Sequence, residues 1–167
     1  MLFFRFWLGL PIVLVAFFAV GCASGSNKKK DYEPALVRFM FEADAREAGA
    51  LVRLPTSGTT IKVQPKSFFT EYDIQKVDVV SNEFGPGLLF QLTPAATRDL
   101  FRQTLTNQGR RIVTLLNAQA IGAVRVDRPI SQGVILTYVE LPEEILLQLA
   151  KDITRTSQDA RKELKKK

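Results

Sequence analysis

The chain has 167 residues, 46% hydrophobic and 24% charged, a length that fits one domain rather than two. It holds 23 basic and 17 acidic residues, a single cysteine and no histidine. The missing histidine excludes a Ser-His-Asp triad, a Cys-His pair, a histidine general base and a histidine-ligated metal, and the lone cysteine excludes an internal disulfide and a cysteine-rich zinc site.

At the N-terminus, Met1–Gly21 carry one positive charge, Arg5, ahead of a 15-residue apolar run from Phe6 to Val20, and end on a small residue. That is the layout of a secretory signal. The run falls short of the ~20 apolar residues that span a bilayer. No later run approaches that length, so the remainder is expected to be soluble. The stretch Ala19-Val20-Gly21-Cys22 resembles the bacterial lipoprotein cleavage box, with Ala19 where leucine usually stands. The resemblance implies cleavage between Gly21 and Cys22, acylation of Cys22, and membrane attachment through it. Several acyl chains at ~0.8 kcal/mol per buried methylene make such an anchor essentially permanent. The alternative is an uncleaved signal anchor with Cys22 as an incidental thiol. Ala23 replaces the aspartate associated with inner-membrane retention, which favours the outer membrane, facing the periplasm.

The formal charge of +6 is unevenly placed. Lys28–Lys30 lie beside the anchor, and Arg161, Lys162 and Lys165–Lys167 lie at the far end, while Asp31–Ala160 hold 14 basic and 16 acidic residues. The basicity belongs to the tails. Nucleic-acid binding depends on a clustered basic face, so nucleic acid is not an expected partner. The lysines beside the anchor suit anionic lipid at about 1 kcal/mol each, or simply a solvated spacer.

Residues 22–34 read as a flexible linker, 35–158 as the folded domain and 159–167 as a basic tail. Ala35–Phe41 predicts a strand with Val37, Phe39 and Phe41 on one face, and Ala43–Gly49 a short helical turn. Ala50–Leu54 and Thr59–Gln64 predict a hairpin about Pro55-Thr56-Ser57-Gly58, with Pro55 and Pro65 pointing to edge strands. Two more strands follow, Ile74–Val80 and Leu88–Leu92, joined by a turn over Asn82–Gly87. Thr93 then caps a helix with Pro94 in its first position. Leu100, Phe101, Thr104 and Leu105 are expected on its buried face, and Gly109 as its left-handed cap. Strands are predicted over Arg111–Leu116, Ile121–Val126 and Val134–Val139. A last helix starts at Pro142-Glu143-Glu144, with carboxylates where the helix dipole favours them and an apolar stripe of Ile145, Leu146, Leu149 and Ile153. The fold class is α+β, a mainly antiparallel sheet with two helices packed on one face.

Residues from about Val77 to Ile153 resemble the head subdomain of the first periplasmic region of SecD and SecF, accessory membrane proteins of the export translocase. The matching string is Phe90-Gln91-Leu92-Thr93-Pro94, then Thr104 to Gly109-Arg110-Arg111-Ile112-Val113, Leu116-Asn117, Ile130-Ser131-Gln132-Gly133, Glu143-Glu144 and Leu149-Ala150. That family usually has an Asp-Gly turn where this chain has Asn117-Ala118, so a different turn type is expected, because alanine resists positive φ. SecD and SecF carry proton-driven membrane helices that find no counterpart here. The resemblance thus implies a polypeptide-contacting domain outside the membrane, and not a motor.

Within the matched region Thr104, Asn107, Arg110 and Arg111 are the densest polar group. Paired arginines can grip a carboxylate or phosphate in bidentate fashion, which makes these four the candidate partner-binding residues. The structural alternative is that they end the helix and begin a strand. Glu42, Asp44 and Glu47 form a carboxylate cluster, but glycoside hydrolysis needs two carboxylates at a set separation across a cleft, and a solvated loop accounts for them. Gly85-Pro86-Gly87 lacks the lysine of a phosphate loop and reads as a hairpin turn. Ser57 and Ser67 have no base in view. Phe68, Phe69 and Tyr72 read as core. No cofactor, metal or catalytic residue is expected. The reading is a non-enzymatic, lipid-anchored envelope protein that binds or scaffolds another protein. Its competitors are an export accessory acting in trans, and an envelope hydrolase using carboxylates or Ser/Lys chemistry.

Overall fold

The computed structural model describes residues 31–166. The signal segment, Gly21, Cys22 and Lys28–Lys30 lie outside the described residues. The elements are β1 (Val37–Phe41), β2 (Ala50–Arg53), β3 (Thr60–Val63), β4 (Phe69–Thr70), a 3-10 turn (Glu71–Asp73), β5 (Ile74–Asn82), β6 (Gly85–Leu92), α1 (Pro94–Thr106), β7 (Arg111–Leu116), β8 (Gln119–Arg125), β9 (Val134–Tyr138) and α2 (Glu143–Leu164). The fold is α+β, and every strand pair is antiparallel.

The strands form a four-stranded sheet ordered β4-β1-β7-β8, a three-stranded sheet ordered β5-β6-β9, and the separate hairpin β2-β3. The first two meet where Gly122 bridges Val139 and where the Glu140 N–H donates to the Ile121 carbonyl at 2.8 Å. Only glycine fits at that junction, because a Cβ on Gly122 would stand 2.2 Å from the Tyr138 carbonyl oxygen. The bare backbone of Gly122 also leaves room above it. There the hydroxyls of Thr114 and Thr137, both fully buried, meet at 2.9 Å.

The alternation of β1 is as the sequence predicts: Val37, Phe39 and Phe41 all point into the main core. Phe39 meets Phe90 edge-on at 5.0 Å, and Phe41 stacks on Phe68 at 4.1 Å. Leu88 from β6, Leu100 from α1, and Leu146 and Ile153 from α2 close the same cluster. Each such side chain contributes about 1.5–3 kcal/mol on burial. Of the aromatic cluster read as core, Phe69 is buried and Phe68 packs against it, while Tyr72 is exposed.

The β2-β3 hairpin covers the opposite face of the four-stranded sheet. Leu54, Ile61 and Val63 pack there on Val113, Leu115 and Ala120 as a second core. β7 is therefore buried on both faces, which explains its nearly unbroken apolar run. The hairpin is fastened at its tip. The Glu140 carboxylate accepts from the backbone N–H groups of Thr56 and Ser57, both at 2.8 Å.

Several local expectations need correction. Ala43–Gly49 forms a turn at Ala45-Arg46 and no helix, stabilised by the Glu47 N–H donating to the Asp44 carbonyl. α1 buries Ala96, Leu100 and Thr104, leaving Phe101 and Leu105 outside. The helix ends at Thr106 with Asn107 as its C-cap; Gly109 has φ +84° but sits two residues later, where it turns the chain into β7. The hairpin turn after β5 narrows to Glu83-Phe84. Asn117 and Ala118 both have positive φ, +47° and +69°, so alanine adopts the left-handed form that a tight hairpin demands. On α2 the buried stripe is Leu146, Ala150, Ile153, Thr156 and Ser157, and Ile145 is exposed.

α2 runs on to Leu164, so the residues read as the start of a basic tail form its last turns. Arg161 there donates to the Ile74 carbonyl. The end of the stretch read as linker is also held. The Tyr32 hydroxyl donates to Asp159 at 2.7 Å, and the Ala35 N–H donates to Thr156 Oγ1 at 3.0 Å.

Candidate partner-binding surface

Thr104 of α1 lies inside the fold. Its hydroxyl donates to the Leu100 carbonyl at 2.7 Å and accepts from the Ile130 N–H at 2.9 Å, tying the connection between β8 and β9 to α1. A fully buried group with both roles filled has nothing left for a partner. Asn107 caps α1, its amide donating to the Gln103 carbonyl at 2.8 Å.

The arginine pair and the acidic cluster, separate in sequence, are one feature in space. Arg110 makes a two-pronged contact with Glu47, each arm 3.1 Å, and pairs with Asp44 as well. Arg111 grips Glu42 through Nε at 2.9 Å and Nη2 at 2.5 Å, while its backbone N–H adds a bond at 3.2 Å. The register that pairs Phe41 with Ile112 produces this arrangement, setting the residues after β1 beside Arg110 and Arg111 at the start of β7. The Arg110 bonds, then the Asp44 backbone N–H, hold the Glu47 carboxyl down at about 2. Arg111 likewise holds Glu42 below its ordinary value, and both guanidinium groups are raised by their carboxylate partners. Forks filled in this way are not free clamps. The four candidate residues therefore share no common open space.

An open surface exists elsewhere, on α1. Phe101 and Leu105, one turn apart, are 42% and 52% exposed. Thr97, Arg98, Phe101 and Arg102 line a cavity of about 530 Å³ with Ser131. Ser131 also lines a second cavity of about 470 Å³, with Val124, Pro129, Ile130 and Leu136. The loop carrying Ser131 sits tight on the helix: Gly133, at φ +69°, would place a Cβ 2.2 Å from the Thr97 hydroxyl. The result is an apolar groove with a fixed floor and arginines on its rim. Helical spacing joins Leu100 to Thr104 and Phe101 to Leu105 and so predicts all four on the core face, Phe101 included. The one pointer to the loop in the sequence is the string Ile130-Ser131-Gln132-Gly133.

Glu140 lies in a shallow third cavity with Thr56 and Ser57. Burial pushes its carboxyl up, but the bonds from Ser57 and Thr56 outweigh that and leave it below the ordinary value. Among the described residues there is no cluster of metal-ligating side chains, and no helix is long and apolar enough to cross a membrane.

No family model and no curated protein matches the chain. Solved structures do. A structure of SecDF, a membrane component that enhances protein export, superposes with a TM-score of 0.57 at 16% identity, over 73% of this chain and 63% of that one. The fold is SecDF-like. A structure of SecDF in a super-membrane-facing form gives a TM-score of 0.56 at 17% identity, over 72% of this chain and 18% of that one. The chain thus spans less than two thirds of either neighbour. The likeness is wider than the stretch from Val77 to Ile153, which holds fewer than half of the residues.

Proposed function

We propose that this chain is a lipid-anchored protein of the bacterial cell envelope, attached through Cys22 and facing the periplasm from the outer membrane, whose SecDF-like domain binds a polypeptide partner without catalysis. The observation that carries the binding role is the groove on α1, where Phe101 lies open beside Ser131 and the rim arginines, with the exposed Leu105 one turn along the helix. Contiguous exposed apolar surface of this kind favours partner contact. Arg110 and Arg111 take part only if a partner displaces Glu42 and Glu47. Phe101→Ser combined with Leu105→Ser tests the site. Crosslinked polypeptide at the groove should disappear while thermal stability stays within about 0.5 kcal/mol of the parent; undiminished crosslinking sinks the assignment.

The anchor has its own test. Cys22→Ala should release the protein from membranes and remove the acyl mass, and mature protein should lack the absorbance of Trp7, the sole tryptophan. Retained tryptophan means an uncleaved signal.

The likeness to an export-enhancing membrane component supports a narrower reading, an accessory that assists the translocase in trans. Co-purification with translocase subunits after crosslinking distinguishes it from general scaffolding. A hydrolase reading calls for a desolvated carboxyl of raised pKa in a deep cleft. The displaced described carboxyl groups, Glu42, Glu47 and Glu140, all move the other way.

A further inference from the structure

β5 ends the three-stranded sheet, bonded to β6 on one side only. Its register puts Val77 opposite Phe90, Val79 opposite Leu88 and Ser81 opposite Pro86. On β6 the even-numbered residues turn their backbone groups toward β9: the Pro86 carbonyl accepts from the Val139 N–H, and the Leu92 N–H donates to the Gly133 carbonyl. Their partners Val77, Val79 and Ser81 must then face outward. At one end α2 answers this edge, with Thr154 Oγ1 accepting from the Val77 N–H at 3.0 Å and Arg161 donating to the Ile74 carbonyl. Beyond Val77 the cover stops. Among the described residues, nothing bonds the outward N–H and C=O groups of Val79 and Ser81.

Alongside this edge runs a cavity of about 350 Å³ between β5 and α2. Val79, Ala150 and the 66%-exposed Leu147 give it an apolar floor. Lys76, Lys151 and Arg155 line it against one carboxylate, Asp78, which Lys76 already pairs at 2.6 Å. It shares no lining residue with the α1 groove.

We propose that β5 is a strand-addition site for an extended polypeptide segment that carries an aliphatic residue and, two positions along on the same face, an acidic one. Outward groups two residues apart repeat at roughly 7 Å, the spacing of another extended backbone. That match supplies affinity, and the neighbouring cavity supplies selectivity. An aliphatic side chain of the added strand would enter between Val79 and Leu147, and a carboxylate two positions along would meet Lys151 and Arg155. A second copy of the chain suits the edge less well, because pairing β5 with itself would set one basic rim against another.

The test uses the full chain in nonionic detergent and a capped Thr-Val-Thr-Glu-Thr pentapeptide. The peptide should slow hydrogen exchange at the Val79 and Ser81 amides. Replacing its glutamate with lysine, or N-methylating the amides that face β5, should weaken binding by about tenfold or more. Lys151→Glu with Arg155→Glu should weaken the acidic peptide and strengthen the lysine peptide. Val79→Pro, which removes an outward N–H and no bond to β6, should reduce binding likewise. The peptide-side N-methylation keeps the test decisive should that variant misfold. Equal binding of both peptides, no protection at Val79 and Ser81, or protection that arises from self-association without peptide would each overturn the proposal.

Discussion

At the scale of single residues, the chain carries strain that a substitution can relieve. Ala118 sits at φ +69°, where a Cβ crowds the backbone by roughly 1–2 kcal/mol. Ala118→Gly should remove the crowding but loosen the unfolded chain, leaving a gain of up to about 1 kcal/mol, read as a higher denaturation midpoint. Ser157 is fully buried, and its hydroxyl is the buried side-chain polar atom without a partner among the described residues. Ser157→Ala should therefore be neutral or stabilising by about 1 kcal/mol in urea unfolding. Glu47 gives the pH dependence its sign. Its folded carboxyl titrates at about 2 against an ordinary 4.5, so its contribution is present above pH 4.5 and lost as pH falls toward 2. In acid titrations of thermal stability, Glu47→Gln should flatten the slope in that window.

At the scale of elements, the bond from Ile130 to Thr104 decides whether the α1 groove keeps its floor. Thr104→Val preserves shape but strands the Ile130 N–H, at a cost of about 1–3 kcal/mol. Faster hydrogen exchange confined to residues 127–133 and α1 would be the signature. What the sequence made legible follows from how local each signal is. The cap at Thr93, the alternation of β1 and the β2-β3 hairpin rest on neighbouring residues, and all three appear. Phe101, Leu105 and Ile145 were misplaced because helical spacing marks an apolar arc without fixing where it centres. On α1 the arc centres on Ala96, Leu100 and Thr104, and spacing alone accepts either choice. The pairing of Arg110 and Arg111 with Glu42, Asp44 and Glu47 depends on the β1–β7 register, which joins residues 63 to 69 positions apart. No local pattern encodes such a pairing.

At the scale of the whole molecule, two cores share the four-stranded sheet, and one carboxylate fastens the smaller of them. Glu140→Ala should speed hydrogen exchange at Ile61 and Val63 while leaving Phe39 and Phe90 protected; uniform loosening would show instead a single cooperative unit. The sheet also dictates an order of events. β1 comes first along the domain yet takes a central place, and its register joins Val37 to Leu116, 79 positions away. Pairings of such long range close slowly. A chain delivered from its N-terminus therefore leaves β1 with only the two-residue β4 as a sheet partner until β7 arrives. Folding speed, and exposure to chaperones in the meantime, rests on how quickly that one distant strand can be found.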